Sequence, residues 1–459
     1  MTAALYVVIV AMLFQQAMSY MAAQVLPSAA PQVGEALGLA ADMVLYHTAL
    51  FYAVSGIFQA SVGGLIIRWG AIRASQISLI TLGAGLVLSM IGEVWAFTIA
   101  AIIMGFGNSF STPASSHLLA HHSPKKIAPL IFSIKQTGVP VGGLIAVVMV
   151  QVLVDDNNVA TWPDAFLATG LICLALLVVL QPMRRQFDAN RNPGYSVRFS
   201  DGIRNIRTAS GDSNLRNLCL GMFAFVGLQG LFNSIFATFA QLNLGMEKQT
   251  ALEILVVVNV TAAFARILWG WIGSAIAPSR VVLSILAFIM AAATIALGTS
   301  TAAVPVWLIA TAALAFGASA LSWHGLLLSE VARTAPRGQV GPVTGGVLFF
   351  GALGMLSYPF IAKQLLNVGI GYDAIFYVAS VPAILMGFKL LWASKGSATP
   401  NPEQPKAEPN VPSRPYRKSK HTYTFHDVAD AELLWLAPPF LPANTSWRRL
   451  RGKRRRLTK

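Results

Sequence analysis

Apolar stretches long enough to cross a lipid bilayer recur along the chain from Ala3 to Trp392. The hydrocarbon core of a bilayer is roughly 30 Å thick, so about 20 apolar helical residues span it, and each stretch predicts one transmembrane helix. The composition agrees, because only 11% of the residues are charged, whereas soluble proteins average about 25%. We therefore predict an all-α, polytopic membrane protein and exclude a soluble globular fold.

Apolar runs bounded by charged and turn residues predict twelve spans. No basic segment precedes the first span, and its length exceeds the apolar core of a signal peptide, so we expect it to be retained. The spans cover residues 3–25, 43–67, 75–94, 96–120, 128–153, 163–183, 217–242, 250–274, 281–300, 303–330, 339–362 and 371–393.

Lys and Arg are concentrated in alternate gaps between the spans, beginning with Arg68 and Arg73. In the other gaps, Lys248 and Lys363 are the only basic residues. Because positive loops are retained in the cytoplasm, this bias predicts that both termini are cytoplasmic, and we expect the cell's inner (plasma) membrane. The same basic segments account for the net charge of +15, so no nucleic-acid partner is predicted.

The longest gap divides the chain into a six-helix bundle at 1–183, a cytoplasmic linker at 184–216 and a second six-helix bundle at 217–395. Segments Gly63–Arg73 and Gly270–Arg280 share their Gly-to-Arg spacing in corresponding helices, as expected of a duplicated transporter fold. Residues 396–459 change abruptly to Pro, Ser, Lys and Glu, which predicts a disordered basic tail. We expect that tail to contact anionic lipid headgroups, and a partner-binding motif is the alternative.

Three segments resemble the major facilitator superfamily: Gly63–Arg73, Ser133–Gly143 and Arg266–Ile272. The first is similar to the family loop G-x-L-x-D-R-x-G-R-R, with Ile67 where that pattern usually has Asp, and the second is similar to the helix-five motif G-P-x-x-G-G. The resemblance covers roughly residues 1–395. It implies a bacterial-type twelve-helix secondary carrier, in which two pseudo-symmetric six-helix bundles enclose a central cavity and work by alternating access.

Small residues and the family loops indicate which positions control conformational change. Glycine lets helix backbones approach closely within lipid. Gly138 and Gly142 lie four residues apart on one face, and we expect that face to slide on a helix of the other half; ordinary helix packing is the alternative. The predicted gating residues are Gly63, Arg68, Gly70, Arg73, Gly138, Pro140, Gly142, Gly143, Gly270 and Arg280.

Lys135 and Arg266 are the charges that most need an explanation, because each lies about two helical turns inside a predicted span. A charge held in hydrocarbon costs at least about 2.5–3.5 kcal/mol, so both side chains are expected to face a partner or a water-filled cavity. No Asp or Glu is predicted at a comparable depth. We expect the two cations to hold an anionic group of the substrate, plausibly a carboxylate. The alternatives are that Lys135 extends to the membrane interface and that Arg266 caps carbonyls of a neighbouring helix.

Other polar residues within the spans extend the predicted site, since hydrogen-bonding groups in lipid point toward partners. They are equally able to bond neighbouring helices without contacting substrate. The predicted substrate-binding residues, besides Lys135 and Arg266, are Gln15, Asn108, Gln136, Gln229, Asn233, Asn259, Trp323 and His324.

Three residues are candidates for proton coupling: His47 and His324 lie inside spans, and Glu330 lies near the end of the tenth. Neither a metal-ligand cluster nor a phosphate-binding loop is found, so we predict no metal, no cofactor and no enzymatic activity. The sequence thus favours a secondary transporter of a small solute, and we expect that solute to be an organic anion. Alternatives are an exporter of amphipathic compounds and a transport-dead sensor or scaffold that signals through the tail.

Overall fold

The computed structural model describes residues 3–39, 44–155, 158–198 and 200–396 of the chain. These residues form α-helices joined by short turns, and no named β-strand occurs among them. Residue 396 ends the last described helix, and residues 397–459 of the predicted disordered tail lie outside the described part.

The described residues of the N-terminal half form nine α-helices. They are α1 (Ala3–Ser28), α2 (Ala30–Leu37), α3 (Val44–Ser61), α4 (Gly63–Trp69), α5 (Ala71–Ser89), α6 (Val94–His122), α7 (Ala128–Gln136), α8 (Gly138–Leu153) and α9 (Trp162–Leu180). The linker and the C-terminal half contain α10 (Arg184–Phe187), α11 (Asp201–Gly211), α12 (Ser213–Leu242), α13 (Lys248–Ala275), α14 (Ser279–Gly298), α15 (Val306–Ala320), α16 (His324–Thr334), α17 (Val340–Asn367) and α18 (Tyr372–Gly396).

The helices agree with the twelve predicted spans. Eleven spans in the described residues are long and apolar enough to cross a bilayer, and α3 with α4, bent by 60°, forms a twelfth when the pair is taken as one. The sequence reading missed the short helices α2 and α11, because neither is long enough to cross a membrane. It also missed the interruptions between α7 and α8 and between α15 and α16.

The linker packs on one end of the bundle, which we call the linker side; the opposite end is the far side. The backbone N–H of Asn192 donates to the carbonyl of Ile67 over 2.8 Å, and Asn190 lies 3.3 Å from the ring nitrogen of His121. These contacts place the loops after α4 and α6 on the linker side.

Helices from the two halves meet along two seams. One seam joins α3 and α4 to α17, and the other joins α7 to α13 and α16. In the second seam, Ser133 faces Gly270 and Gly325 so closely that a β-carbon at either glycine would overlap it. The backbone N–H of Leu130 also donates to the hydroxyl of Ser274 over 3.0 Å. Small residues therefore bring the backbones of the two halves together here.

The first seam is built in the same way. Gly63 packs on Pro342, and Gly345 packs on the carbonyl of Gln59. We call the contacts of Ser133, Gly270, Gly325, Gly63 and Pro342 the linker-side seal. Every residue of this seal lies between the middle of its span and the linker side.

The helix α11 reinforces the seal from outside the bundle. The amide of Asn205 donates to the carbonyl of Ala60 in α3 over 2.8 Å, while the backbone of Asn205 packs on Gly346 of α17. One short helix thus contacts both halves.

The expectation that Gly138 and Gly142 face the other half is wrong. Both glycines pack on the backbone of α1 in their own half, against Leu13 and Ala17. Gly143 faces the ring of Tyr20, also on α1. The face instead holds α8 to α1, which is the ordinary packing given as the alternative.

Candidate substrate-binding site between the two halves

Lys135 is buried, with 1% of its surface exposed. It lies one residue before the end of α7, where the helix is interrupted at Thr137. Its Nζ donates to Oε1 of Gln16 on α1 over 2.5 Å. Ser111 and Thr112 of α6 donate to the same oxygen over 3.3 Å. The side chain therefore points into the polar centre of its half and does not extend to the membrane interface.

Arg266 is 4% exposed and joins the two halves. Its Nε donates to the carbonyl of Leu321 over 2.9 Å, and its Nη1 donates to the carbonyl of Gln136 over 2.5 Å. These carbonyls stand at the ends of α15 and α7, where helix dipoles present partial negative charge. The alternative prediction, that Arg266 caps carbonyls, is therefore correct as a description of its contacts.

The hydrogen bonds to Gln16, Gln136 and Leu321 do not neutralise the two positive charges. Among the described residues, the ion pairs involve other side chains, and no carboxylate lies within 4.0 Å of Lys135 or Arg266. Partial charges at two helix ends stabilise a cation less than a full negative charge does. Two buried cations near the half interface thus retain a capacity to bind an anion.

Polar and aromatic groups surround the two cations. His324 stacks on Trp323 with ring centroids 3.9 Å apart and lies close enough to feel the charges of both Lys135 and Arg266. Its Nδ1 is buried and has no hydrogen-bond partner within the described ranges. Oε1 of Gln136 is likewise buried and unpartnered there. Both atoms therefore keep unused hydrogen-bonding capacity within the described residues.

Two tyrosines near Arg266 were not predicted. The hydroxyls of Tyr20 on α1 and Tyr52 on α3 lie within hydrogen-bonding reach of each other, and Tyr20 also feels the charge of Arg266. The periodicity of α1 places Tyr20 four residues after Gln16, on the same face. That spacing was the signal that sequence reasoning overlooked.

The remaining predicted binding residues divide into two groups. Gln15 donates to Ser19 over 2.9 Å and Asn108 donates to Ser55 over 2.8 Å, so both bond within or between helices of the N-terminal half. Gln229 is partly buried, whereas Asn233 and Asn259 are exposed. The structure therefore brings Lys135, Gln136, Arg266, Trp323 and His324 together. Gln15 joins the same network, because Ser111 donates to both Gln15 and Gln16.

Exposure along α13 changes with depth. Arg266 and Asn259 are seven residues apart and share one face of the helix. Arg266 is buried, yet Asn259, which lies toward the far side, is exposed and bonds only its own helix, at the carbonyl of Leu255. Exposure along this face of α13 thus falls from Asn259 to Arg266.

The other two candidates for proton coupling lie elsewhere. His47 lies near the far end of α3, where its ring meets the edge of Phe97 with centroids 6.5 Å apart. Glu330 is 4% exposed and pairs with Arg280 and Arg333, each over 2.5 Å. A carboxylate held between two guanidinium groups anchors the ends of α14 and α16, and Glu330 does not join the central cluster.

The loop after α4 is held by a carboxylate from the linker. Oδ1 and Oδ2 of Asp188 accept the backbone N–H groups of Ile72 and Arg73 over 2.9 and 3.0 Å. Asp188 thus caps α5, and Gly70, with φ of 97°, makes room for it. Burial raises the pKa of this carboxyl above its usual value, opposed by the two backbone hydrogen bonds. Among the described residues, by contrast, the side chain of Arg68 makes no hydrogen bond and no ion pair.

The chain is similar to several transporters of known structure. The human organic anion transporter MFSD10 (TETRAN) superposes with a TM-score of 0.70 at 15% identity, covering 85% of this chain and 100% of that one. The proton:xylose symporter XylE gives 0.67 at 16%, covering 85% and 95%. A bacterial homologue of the iron transporter ferroportin, in an outward-facing state, gives 0.69 at 12%, covering 84% and 99%.

At these identities the similarity establishes the fold. No curated protein sequence matches the chain. The family model of the Major Facilitator Superfamily matches residues 12–355 and 218–455, which together cover most of the chain. Helix order, the two sets of spans and this match agree, and the protein is an integral membrane protein of the major facilitator superfamily.

Proposed function

We propose that the protein is a secondary active transporter that carries a small organic anion by alternating access. The observation that supports this most directly is the pair Lys135 and Arg266, which is buried near the half interface with no carboxylate of the described residues within 4.0 Å. The name of the structurally similar MFSD10, an organic anion transporter, is consistent with this substrate class.

The energetics favour an anion at this position. Burying a cation without a counter-ion costs several kcal/mol, of which the carbonyls of Gln136 and Leu321 offset a part. A carboxylate between Lys135 and Arg266 adds charge-assisted hydrogen bonds, each worth about 1.5–3 kcal/mol. Uncharged substrates offer no such gain, so we expect selection for negative charge.

Alternating access requires the linker-side seal to open. Positive charge in the loops on the linker side indicates that this side is cytoplasmic, with both termini there and with the protein in the inner (plasma) membrane. We propose that the exposed Asn233 and Asn259 face a cavity that opens to the outside. We propose that bundles 1–183 and 217–395 rock about the linker 184–216, with α11 released from one half.

Arg266 couples the site to this movement. It bonds Gln136 of one half and Leu321 of the other, so the seal cannot open while both bonds remain. Opening frees donors of the guanidinium, and a bound anion accepts them. The substrate thereby compensates for the bond that rocking breaks.

Uptake by proteoliposomes tests the proposal. A panel of radiolabelled organic anions is offered to the wild type, to Arg266→Ala and to Lys135→Ala, with Lys363→Ala at the far end of α17 as the matched control. We expect uptake of at least one anion by wild type and by the control, and a loss of about tenfold or more in each cation variant. Wild-type uptake in both cation variants contradicts the proposal.

His324 is the residue we propose for proton coupling, because its Nδ1 has no hydrogen-bond partner among the described residues. The nearby charges of Lys135 and Arg266 oppose its protonation, and a bound anion would offset them. Replacing it by Gln removes the titration and keeps hydrogen-bonding groups. Uptake by wild type is then expected to respond to an imposed pH gradient, and uptake by His324→Gln is not. Wild-type uptake that does not change with the pH gradient would contradict proton coupling.

A further inference from the structure

A cavity of about 240 Å³ lies within the N-terminal half, apart from the residues of the Lys135 and Arg266 cluster. It lies toward the far side, between the end of α1, the short helix α2 and the first turns of α3 and α6. Its wall includes Leu26, Val33, Leu50 and Phe97. The lining is therefore mostly apolar.

One buried polar atom in this wall makes no hydrogen bond within the described residues. His47 lines the cavity, and its Nε2 is buried without a hydrogen-bond partner in the described part of the chain. The hydroxyl of Thr98, another lining residue, already donates to the carbonyl of Val94 over 2.8 Å. A buried nitrogen left unpaired is costly, so the imidazole favours a ligand with a hydrogen-bonding group.

The lining also limits the charge of that ligand. Among the described residues that line the cavity, there is no Asp, Glu, Lys or Arg. An ionised group placed there finds no counter-ion among these residues and is disfavoured by several kcal/mol. A purely apolar chain is disfavoured as well, because it leaves Nε2 of His47 unpaired.

The volume of the cavity limits the size of the ligand. A water molecule takes about 30 Å³ in the liquid, so the cavity has room for roughly eight such volumes, the size of a chain of about eight carbons. We propose that this cavity binds an uncharged medium-chain amphiphile, such as an aliphatic alcohol, whose single polar group bonds Nε2 of His47. The site lies in one half only and does not depend on the transport function proposed above.

Photolabelling tests this site in full-length protein held in lipid nanodiscs. A diazirine-bearing octanol is activated by light, and its adducts are mapped by peptide mass spectrometry. Wild type is expected to carry adducts on the segments 26–50 and 94–98 that 1-octanol removes by competition and octane does not. His47→Phe, which keeps an aromatic ring and removes the nitrogen, is expected to lower these adducts about tenfold.

Two further variants make the result decisive. His122→Phe changes a histidine at the opposite end of α6, where it bonds Leu118, and is expected to label like wild type. Val33→Trp fills the cavity without altering His47 and is expected to abolish labelling. This variant tests the site independently if His47→Phe fails to fold. Undiminished labelling in Val33→Trp, equal competition by octane, or a wild type without adducts, as for a cavity that holds only water, overturns the proposal.

Discussion

Two arginines with the same 4% exposure have opposite surroundings in this protein. Arg280, at the start of α14, pairs with Glu330 over 2.5 Å and with Asn214 over 2.9 Å. Arg266, at the seam between the halves, bonds backbone carbonyls alone among the described residues. The fold thus supplies a full counter-charge at the linker side and withholds one near the middle of the membrane.

The difference shows which charge serves structure and which is available to a ligand. When a buried cation pairs with a carboxylate of the same protein, the carboxylate offsets the cost of burying the charge in every conformation that keeps the pair. A cation capped by partial charges alone gains most when an anion arrives. The predictions below test this contrast, beginning with the largest expected effect.

Removing the built-in counter-charge is expected to destabilise the fold most. Glu330→Gln removes the carboxylate that pairs with Arg280, and breaking a buried pair in this way typically costs about 3–5 kcal/mol. The midpoint of thermal unfolding in detergent is expected to fall by several degrees. Glu253→Gln, which alters an exposed carboxylate on α13, is the control and should leave the midpoint unchanged. Equal midpoints for the two variants would contradict a structural role for Glu330.

Replacing the other arginine is expected to act mainly on transport. Arg266→Met preserves much of the side-chain volume but removes the charge, so uptake of the substrate anion should fall about 10- to 100-fold, the loss of one to two charge-assisted bonds. Arg207→Met, at an exposed position of the linker, controls for the chemical change. If Arg266→Met unfolds as readily as Glu330→Gln and still transports the anion, Arg266 serves structure and does not bind the ligand, which would contradict the account.

The linker-side seal predicts a difference between two glycine variants. Gly270→Ala places a methyl group against Ser133 where no space exists, whereas Gly83→Ala finds its nearest atom, the carbonyl of Gly170, at 3.8 Å. The first variant should slow uptake several-fold by preventing full closure of the seam. The second should transport normally and be more stable by up to about 1 kcal/mol, because alanine favours helix. Identical behaviour of the pair would mean that the seam is not closed during transport.

The smallest expected effect concerns the linker cap. Asp188→Ala leaves the N–H groups of Ile72 and Arg73 without their acceptor and removes an end cap from α5, at a cost of about 1–2 kcal/mol. Asp188→Asn keeps one acceptor oxygen and should recover about half of that loss. Both values follow from thermal unfolding of the purified variants, and a midpoint unaffected by Asp188→Ala would show that water replaces the carboxylate.

The sequence predicted the spans well because hydrophobic length is a local property. The apolar run ending near Ile67 and the one beginning near Ser75 specify separate helices without any knowledge of their neighbours. Lys135 and Arg266 were also found in this way, since a charge inside an apolar run stands out wherever it lies.

Partners across long sequence separations were not predictable from local patterns. Asp188 caps a helix more than a hundred residues earlier, at the loop where Ile67 replaces the usual Asp. Gly142 was assigned to the wrong half because helical spacing gives a face but not the helix opposite that face. Likewise, the spacing of His47 and His324 alone could not show that only the second lies near the cations.

The claim that Lys135 and Arg266 bind an anion is tested most directly by ligand-induced stabilisation of purified protein. A panel of small carboxylates, each with its uncharged amide, is screened by thermal unfolding against wild type and the double variant Lys135→Met with Arg266→Met. We predict that at least one carboxylate raises the midpoint of wild type, while its amide does not and the double variant does not respond. Stabilisation of wild type and double variant by the same ligand to the same extent would contradict the account.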